Sequence, residues 1–307
     1  MTSQIARQLA QKHTLAQVLL GATLALILVC NVWADSAPST HQNPAPESSQ
    51  KSSQKSSQDS RALESSQPAR LEPKATHLQN PLKLSIQAAG EKGLVQFPAM
   101  DLQVGESGFV WHRFDSNYAS IIAMVTISKI DSGVAYASIN PESVLAQKYL
   151  PMPTNTPAIG DEIYFRTLNN QAFIIAPTQE SYEQIRNAYP QIRFLNSDLL
   201  IAYLFDHGGF DPKPNLLSKA CRIYNAGLLF VVTTDTLNTL DCQSLEVLER
   251  QSFPTSEIAD SSIITPFFSR IQYAASGALD TTLQKKHSKQ YFRYYDALVA
   301  QGKAFEP

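Results

Sequence analysis

The stretch "IIAMVTISKIDSGVAYASI" (121–139) sets the fold class. Its two arms are rich in β-branched and apolar residues. Between them Asp131-Ser132-Gly133 supplies a glycine where a tight hairpin turn needs positive φ. Strand signals continue on both sides, in "LKLSIQ" (82–87), "GLVQFPA" (93–99) and the aromatic "GFVWHRF" (108–114). "EIYFRTL" (162–168) and "QAFIIA" (171–176) read as a second hairpin across Asn169-Asn170, and Pro151, Pro153 and Pro157 mark a loop between the two hairpins. Residues 81–177 are therefore expected to form a β-rich, antiparallel half.

Downstream the pattern changes to a mixed α/β half over 178–301, for an α+β fold overall. Ser181 and Gln184 suggest a capping box for a helix with Tyr182, Ile185 and Tyr189 on one face. "DLLIAYLF" (198–205) suits a buried helix or a strand, with helix preferred. Asn215 is a candidate cap for a helix through Tyr224, on which Leu216, Leu217, Ala220, Cys221 and Tyr224 share a face. "LLFVVTTDTLNTLDCQSLEVLER" (228–250) reads as a β-meander. "SKQYFRYYDALVAQ" (288–301) reads as a C-terminal amphipathic helix whose Tyr291, Phe292, Tyr295, Leu298 and Val299 dock on the fold. Residues 302–307 are expected as a frayed tail.

Upstream, Arg7 and Lys12 precede an apolar run from Leu15 to Trp33, with a cleavage-type sequence at Val32-Trp33-Ala34. Residues 1–34 are thus a signal peptide or, uncleaved, an inner-membrane signal anchor facing the periplasm. Residues 35–80 read as a disordered Ser/Gln/Pro-rich tether. They carry the repeat "ESSQKSSQKSSQDS" (47–60), which returns as "ESSQ" (64–67), and almost no apolar residue to offset the entropy of ordering. As a flexible coil the tether would reach roughly 35–40 Å. Export leaves two cysteines, Cys221 and Cys242, in the mature chain, and an oxidising compartment favours a disulfide over two buried thiols.

The chain has 25 Lys+Arg against 27 Asp+Glu, a net charge of -2 that argues against a nucleic-acid partner. His112 lies in a predicted strand, and His287 follows Lys285 and Lys286. The best metal candidate, Asp206, His207 and Asp211 in "DHGGFD" (206–211), is too sparse for a dedicated site, so no metal or cofactor is expected. No dinucleotide fingerprint, P-loop, His-Glu-x-x-His or Gly-x-Ser-x-Gly occurs, and Gly105-Glu106-Ser107-Gly108 reads as the start of a strand. No catalytic residue is assigned, and the reading is of a binding protein, not an enzyme.

Eight strings in order carry a resemblance: "FPAMDLQVGESGFV" (97–110), "NNQAFIIAP" (169–177), "YEQIR" (182–186), "SDLL" (197–200), "GFDPK" (209–213), "KAC" (219–221), "PFFSR" (266–270) and "YYDALV" (294–299). Over about 81–300 the chain resembles the shared N-terminal domain of the plasminogen-binding proteins of gastric and enteric Gram-negative bacteria. Cys221 matches a family cysteine and Cys242 its second, which strengthens the disulfide reading.

The resemblance implies a cell-surface or envelope protein that captures host plasminogen through lysines. In the family these belong above all to a long charged tail ending in lysine. A kringle holds the ammonium, a carboxylate and the alkyl stem of such a ligand. This sequence ends at Pro307, without that tail, so the candidate ligand residues are Lys303, Lys285, Lys286 and Lys289. The terminal carboxylate, with Glu306 as the alternative, or Asp296 beside Arg293 and Lys289, would supply the anion. The alternative is a periplasmic or outer-membrane-associated assembly role, with another envelope component as partner.

Overall fold

The computed structural model describes residues 71, 74–90, 93–140, 153–207, 211–259, 266–271 and 287–307, all within one compact unit, Glu64–Pro307. The expected leader and most of the expected tether lie outside the described residues.

Seven strands form the first sheet: β1 (Leu82–Ser85), β2 (Ala88–Gly90), β3 (Leu94–Pro98), β4 (Ser107–Arg113), β5 (Ala119–Asp131), β6 (Val134–Asn140) and β7 (Glu162–Phe165). Their order is β1-β7-β4-β5-β6-β3-β2, antiparallel throughout. The two edge strands, β1 and β2, are consecutive pieces of one stretch, so the sheet curls until its edges meet. Ile86 N–H donates to Asp161 O (2.9 Å) on one side, and Gln87 N–H donates to Gln96 O (2.8 Å) on the other. Alternation puts Val95, Phe97, Val110, Val125, Ile127, Ile163 and Phe165 inside. Gly108 is required there, because a Cβ would lie 2.9 Å from Ile163 and from the Phe165 ring. The β5–β6 turn is Ser132-Gly133, with φ of 49° and 80°, the primed geometry that suits strand twist.

The second sheet has the order β12-β11-β10-β8-β9: β8 (Gln171–Ile175), β9 (Arg193–Phe194), β10 (Leu228–Thr233), β11 (Thr236–Asp241) and β12 (Val247–Ser252). β10 to β12 form the expected meander, while β8 runs parallel to both β10 and β9. Helix α1 (Gln179–Ala188) covers one face with Tyr182 and Ile185. Helices α2 (Ser197–Asp206), α3 (Pro214–Ile223) and α4 (Tyr291–Gln301) cover the other. All six β10 residues are buried, as expected of a central strand covered on both faces. The fold is thus broadly α+β, with strand predominating.

The structure corrects several local expectations. β7 and β8 are not a hairpin, because β7 pairs with β1 and β4 while β8 enters the other sheet. The turn after β7 begins at Arg166, whose φ of 62° redirects the chain, and not at Asn169-Asn170. The α1 cap is Thr178, whose hydroxyl accepts from Ser181 N–H, so Ser181 lies inside the helix. Asn215 caps nothing: α3 starts at Pro214, whose missing N–H suits a first helical position. The folded region also begins upstream of 81. Leu78, in a 3-10 turn at His77–Gln79, is fully buried on the α1 side, and Lys74 N–H donates to Ala188 O (2.8 Å).

The disulfide joins Cys221 on α3 to Cys242 after β11, with Cα atoms 5.7 Å apart, pinning helix to sheet. Arg166 is 4% and Glu106 2% exposed. Arg166 donates to Glu106 from Nε (2.8 Å) and Nη2 (3.0 Å), to Asp101 Oδ2 (2.9 Å), to Asp101 O (3.0 Å) and to His77 O (3.3 Å). No helix among the described residues is long and apolar enough to cross a membrane.

Glu106→Gln should lower unfolding stability by about 3 kcal/mol, because it leaves the buried guanidinium with only the exposed Asp101 as counter-charge. Asp101→Asn, at a carboxylate 58% exposed, should cost under about 1 kcal/mol. Urea midpoints at constant m-value would compare the two. Replacing both cysteines by serine should cost about 3 kcal/mol, read the same way.

Candidate functional site

Helix α4 fixes the surface that carries the candidate lysines. Its aromatic residues are core. Tyr291 donates from its hydroxyl to Ile175 O (3.2 Å) and Val232 O (3.0 Å), and Tyr295 donates to Pro266 O (2.8 Å). Burial pushes both phenols well above their usual value of 10. At the end of α4, Gly302 has φ 55° and ψ -130°, a conformation for glycine alone, and a 3-10 turn follows over Gly302–Ala304. Phe305 is then buried, its ring edge-on to Tyr294 at 5.0 Å. The expected frayed tail is therefore docked by one apolar side chain that the sequence reading left unused.

Lys303 projects from this docked turn and is exposed, as is Glu306. Among the described residues Lys303 has no carboxylate partner. It stands at the rim of a groove of about 400 Å³, lined also by Met124 and Asn140 of the first sheet and by Asn215, Lys219 and Arg222 of α3. The other candidates are not gathered there. Lys289 is exposed in a 3-10 turn ahead of α4. Lys285 and Lys286 lie outside the described residues. Asp296 accepts from Thr234 N–H (3.0 Å) and Oγ1 (2.7 Å), so it braces the β10–β11 turn. Arg293 donates to Gln290 Oε1 (3.3 Å).

Two of the three residues weighed for metal binding are engaged elsewhere, and the third, Asp206, is exposed. Asp211 is buried and accepts from Ser288 N–H (3.0 Å) and Oγ (2.7 Å), while His207 stacks on Tyr203 with ring centroids 4.0 Å apart. No group of three metal-ligating side chains occurs among the described residues.

Two features escaped the sequence reading. His112 Nδ1 lies 2.7 Å from Asp161 Oδ1, and Asp161 Oδ2 accepts from Ala158 N–H (2.9 Å). Beyond its other nitrogen stands Asn155 Nδ2 at 3.5 Å, an amide and not a nucleophile, so the pair fastens the loop before β7 to β4. The second is an aromatic recess of about 350 Å³ between Phe109, Trp111, Ile121 and Tyr164 on the outer face of the first sheet and Leu168 and Asn225 of the other half. The alternation that placed Val110 inside also puts Phe109 and Trp111 outside, which was the available signal.

The family whose model matches this chain is described as plasminogen-binding protein pgbA N-terminal, and the match covers residues 81–299. Two relatives from Helicobacter pylori, strains 26695 and J99, are each named plasminogen-binding protein PgbA. Each is 44% identical over 229 residues, 74% of this chain. The alignments cover 49% and 50% of those proteins, so the chain spans about half the length of the relatives it matches. No solved structure matches.

Phe305→Ala should release the Lys303 turn without unfolding the rest. Amide hydrogen exchange at 302–306 should rise to rates near those of open chain, while β10 keeps its protection. The global loss should stay at or below the ~3–5 kcal/mol of a fully enclosed phenylalanine.

Proposed function

The chain belongs to the family of the plasminogen-binding protein pgbA N-terminal domain, and from that membership we propose that it binds plasminogen, with Lys303 the first lysine to be read. The observation that supports this reading is the setting of Lys303. It is exposed, has no carboxylate partner among the described residues, and rises from a turn held by Gly302 and Phe305. A ligand cation held on a fixed turn loses less freedom on entering a pocket than one on a loose chain. Glu306 is exposed on the same short segment and supplies the anion that a lysine-reading kringle pairs with the ammonium. Lys289 is a second exposed lysine, and Lys285 and Lys286 stand close to it in sequence.

Binding of plasminogen requires the domain to be outside the cytoplasm. The Cys221–Cys242 bond supports an oxidising compartment. The leader-like sequence at 1–34 agrees with export, and we place the protein in the envelope or at the cell surface on these two grounds.

Immobilised plasminogen with the whole chain in solution tests the reading. A free lysine analogue such as 6-aminohexanoate should abolish binding. Lys303→Ala should weaken it about tenfold, about 1.4 kcal/mol, and Glu306→Gln by a smaller factor. Binding that ignores the analogue would remove the lysine mechanism, and no binding at all would remove the plasminogen reading.

A further inference from the structure

We propose that the groove at whose rim Lys303 stands is a binding site for an anionic sugar, one bearing a phosphate or sulfate ester. This goes beyond the plasminogen reading, since the chain here is the receptor and not the ligand. Three cations, Lys219, Arg222 and Lys303, line one concavity, and the described lining residues include no carboxylate. Lys219 is exposed and, like Lys303, has no carboxylate partner among the described residues. The start of α3 enters the same groove through Pro214 and Asn215. That helix has no acidic residue in its first turn and no side chain capping its N-terminus, so neither offsets the positive end of its dipole. Positive charge therefore reaches the groove from two independent sources, the side chains and the helix end.

The remaining lining argues for a sugar carrying the charge. A volume of about 400 Å³ exceeds what a lone oxyanion needs and falls in the range of small-ligand sites. Asn140 and Asn215 offer amide groups suited to hydroxyls, and Met124 and Pro214 give an apolar floor for a ring face. Asn140 is already oriented, because its Nδ2 donates to Thr126 Oγ1 (3.0 Å). Ser218 at the base is fixed by donating to Gln243 O (3.2 Å).

Calorimetric titration of the whole chain at low salt should use glucose 6-phosphate and a sulfated disaccharide, with glucose and inorganic phosphate as controls. One of the two esters, or both, should saturate a single site. Glucose should not bind, and inorganic phosphate should bind about tenfold more weakly than the better ester. Preference for the sulfated sugar would point to a sulfated glycan as the source. Preference for the phosphorylated one would point to a phosphorylated saccharide headgroup. Lys219→Glu should weaken ester binding at least about tenfold with the melting temperature unchanged, since the side chain is exposed. Its binding to plasminogen should be unchanged, because that reading uses Lys303 and not Lys219. No saturable binding of either ester, inorganic phosphate binding as tightly as the esters, or an unaffected Lys219→Glu variant would overturn the proposal. A chain that binds the esters but not plasminogen would sink only the earlier reading.

Discussion

Arg166 is a charge held almost out of water at the point where the chain leaves the first sheet for the second. A guanidinium has five N–H donors, and here each has an acceptor, two of them oxygens of the equally buried Glu106. Removing such a pair from water costs several kcal/mol per ion unless the pairing is complete, and completeness requires three separate segments to converge. Those segments are the 3-10 turn at His77, the loop from Asp101 to Glu106, and the end of β7. Next to this point Asn169 Nδ2 donates to Leu78 O (2.7 Å), and Gly227 lies so close to Leu168 and Asn169 that a Cβ there would fall about 2.5 Å from their atoms. The two sheets are thus joined by an over-determined corner, which also sustains the left-handed backbone of Arg166.

A second seam runs beside the first. Asp241 is buried at the end of β11, and burial pushes its carboxyl above the ordinary range while backbone and hydroxyl donors oppose that rise. Two of those donors come from Ser107 at the start of β4 (N–H 3.0 Å, Oγ 2.9 Å), the other two from Gln243 and Ser244. Ser244 Oγ in turn donates to Gly105 O (2.6 Å), at a glycine whose Cβ would strike Glu246. The segment 105–108, read in the sequence as the start of a strand, also forms the polar part of this seam.

What the sequence revealed follows from the range of the forces. Period-two alternation, the Ser132-Gly133 turn and helical spacing are local, and they located the strands, the meander and most of the inward face of α4. The false hairpin between β7 and β8 had every local signal of a true one. What redirected the chain was a buried ion pair between residues 60 apart, and no local pattern records that. The docked chain end was missed for the same reason: Phe305 is a lone aromatic in a polar tail, and its receptor Tyr294 is known only once α4 is packed. The candidate lysines were legible as charges. The groove beside Lys303 was not, since Met124, Asn140, Lys219 and Lys303 meet only through tertiary structure. Lys219 has the same composition signal as any solvated lysine.

The closure of the first sheet has a consequence for the order of events in folding. β1 is the first of the described strands in chain order, yet its partner β7 lies far along the chain, in the register Leu82 with Phe165. Until β7 arrives, β1 can offer its backbone only to the wrong neighbours, and β2 can pair with β3 but cannot shut the curl. The sheet therefore completes late and carries the high contact order that makes closure slow. During that interval two open sheet edges and an interior of valine, isoleucine and phenylalanine face whatever is near. A chain built this way stays open to wrong pairing for longer than its modest size suggests, and gains from any chaperone that covers its edges while it folds.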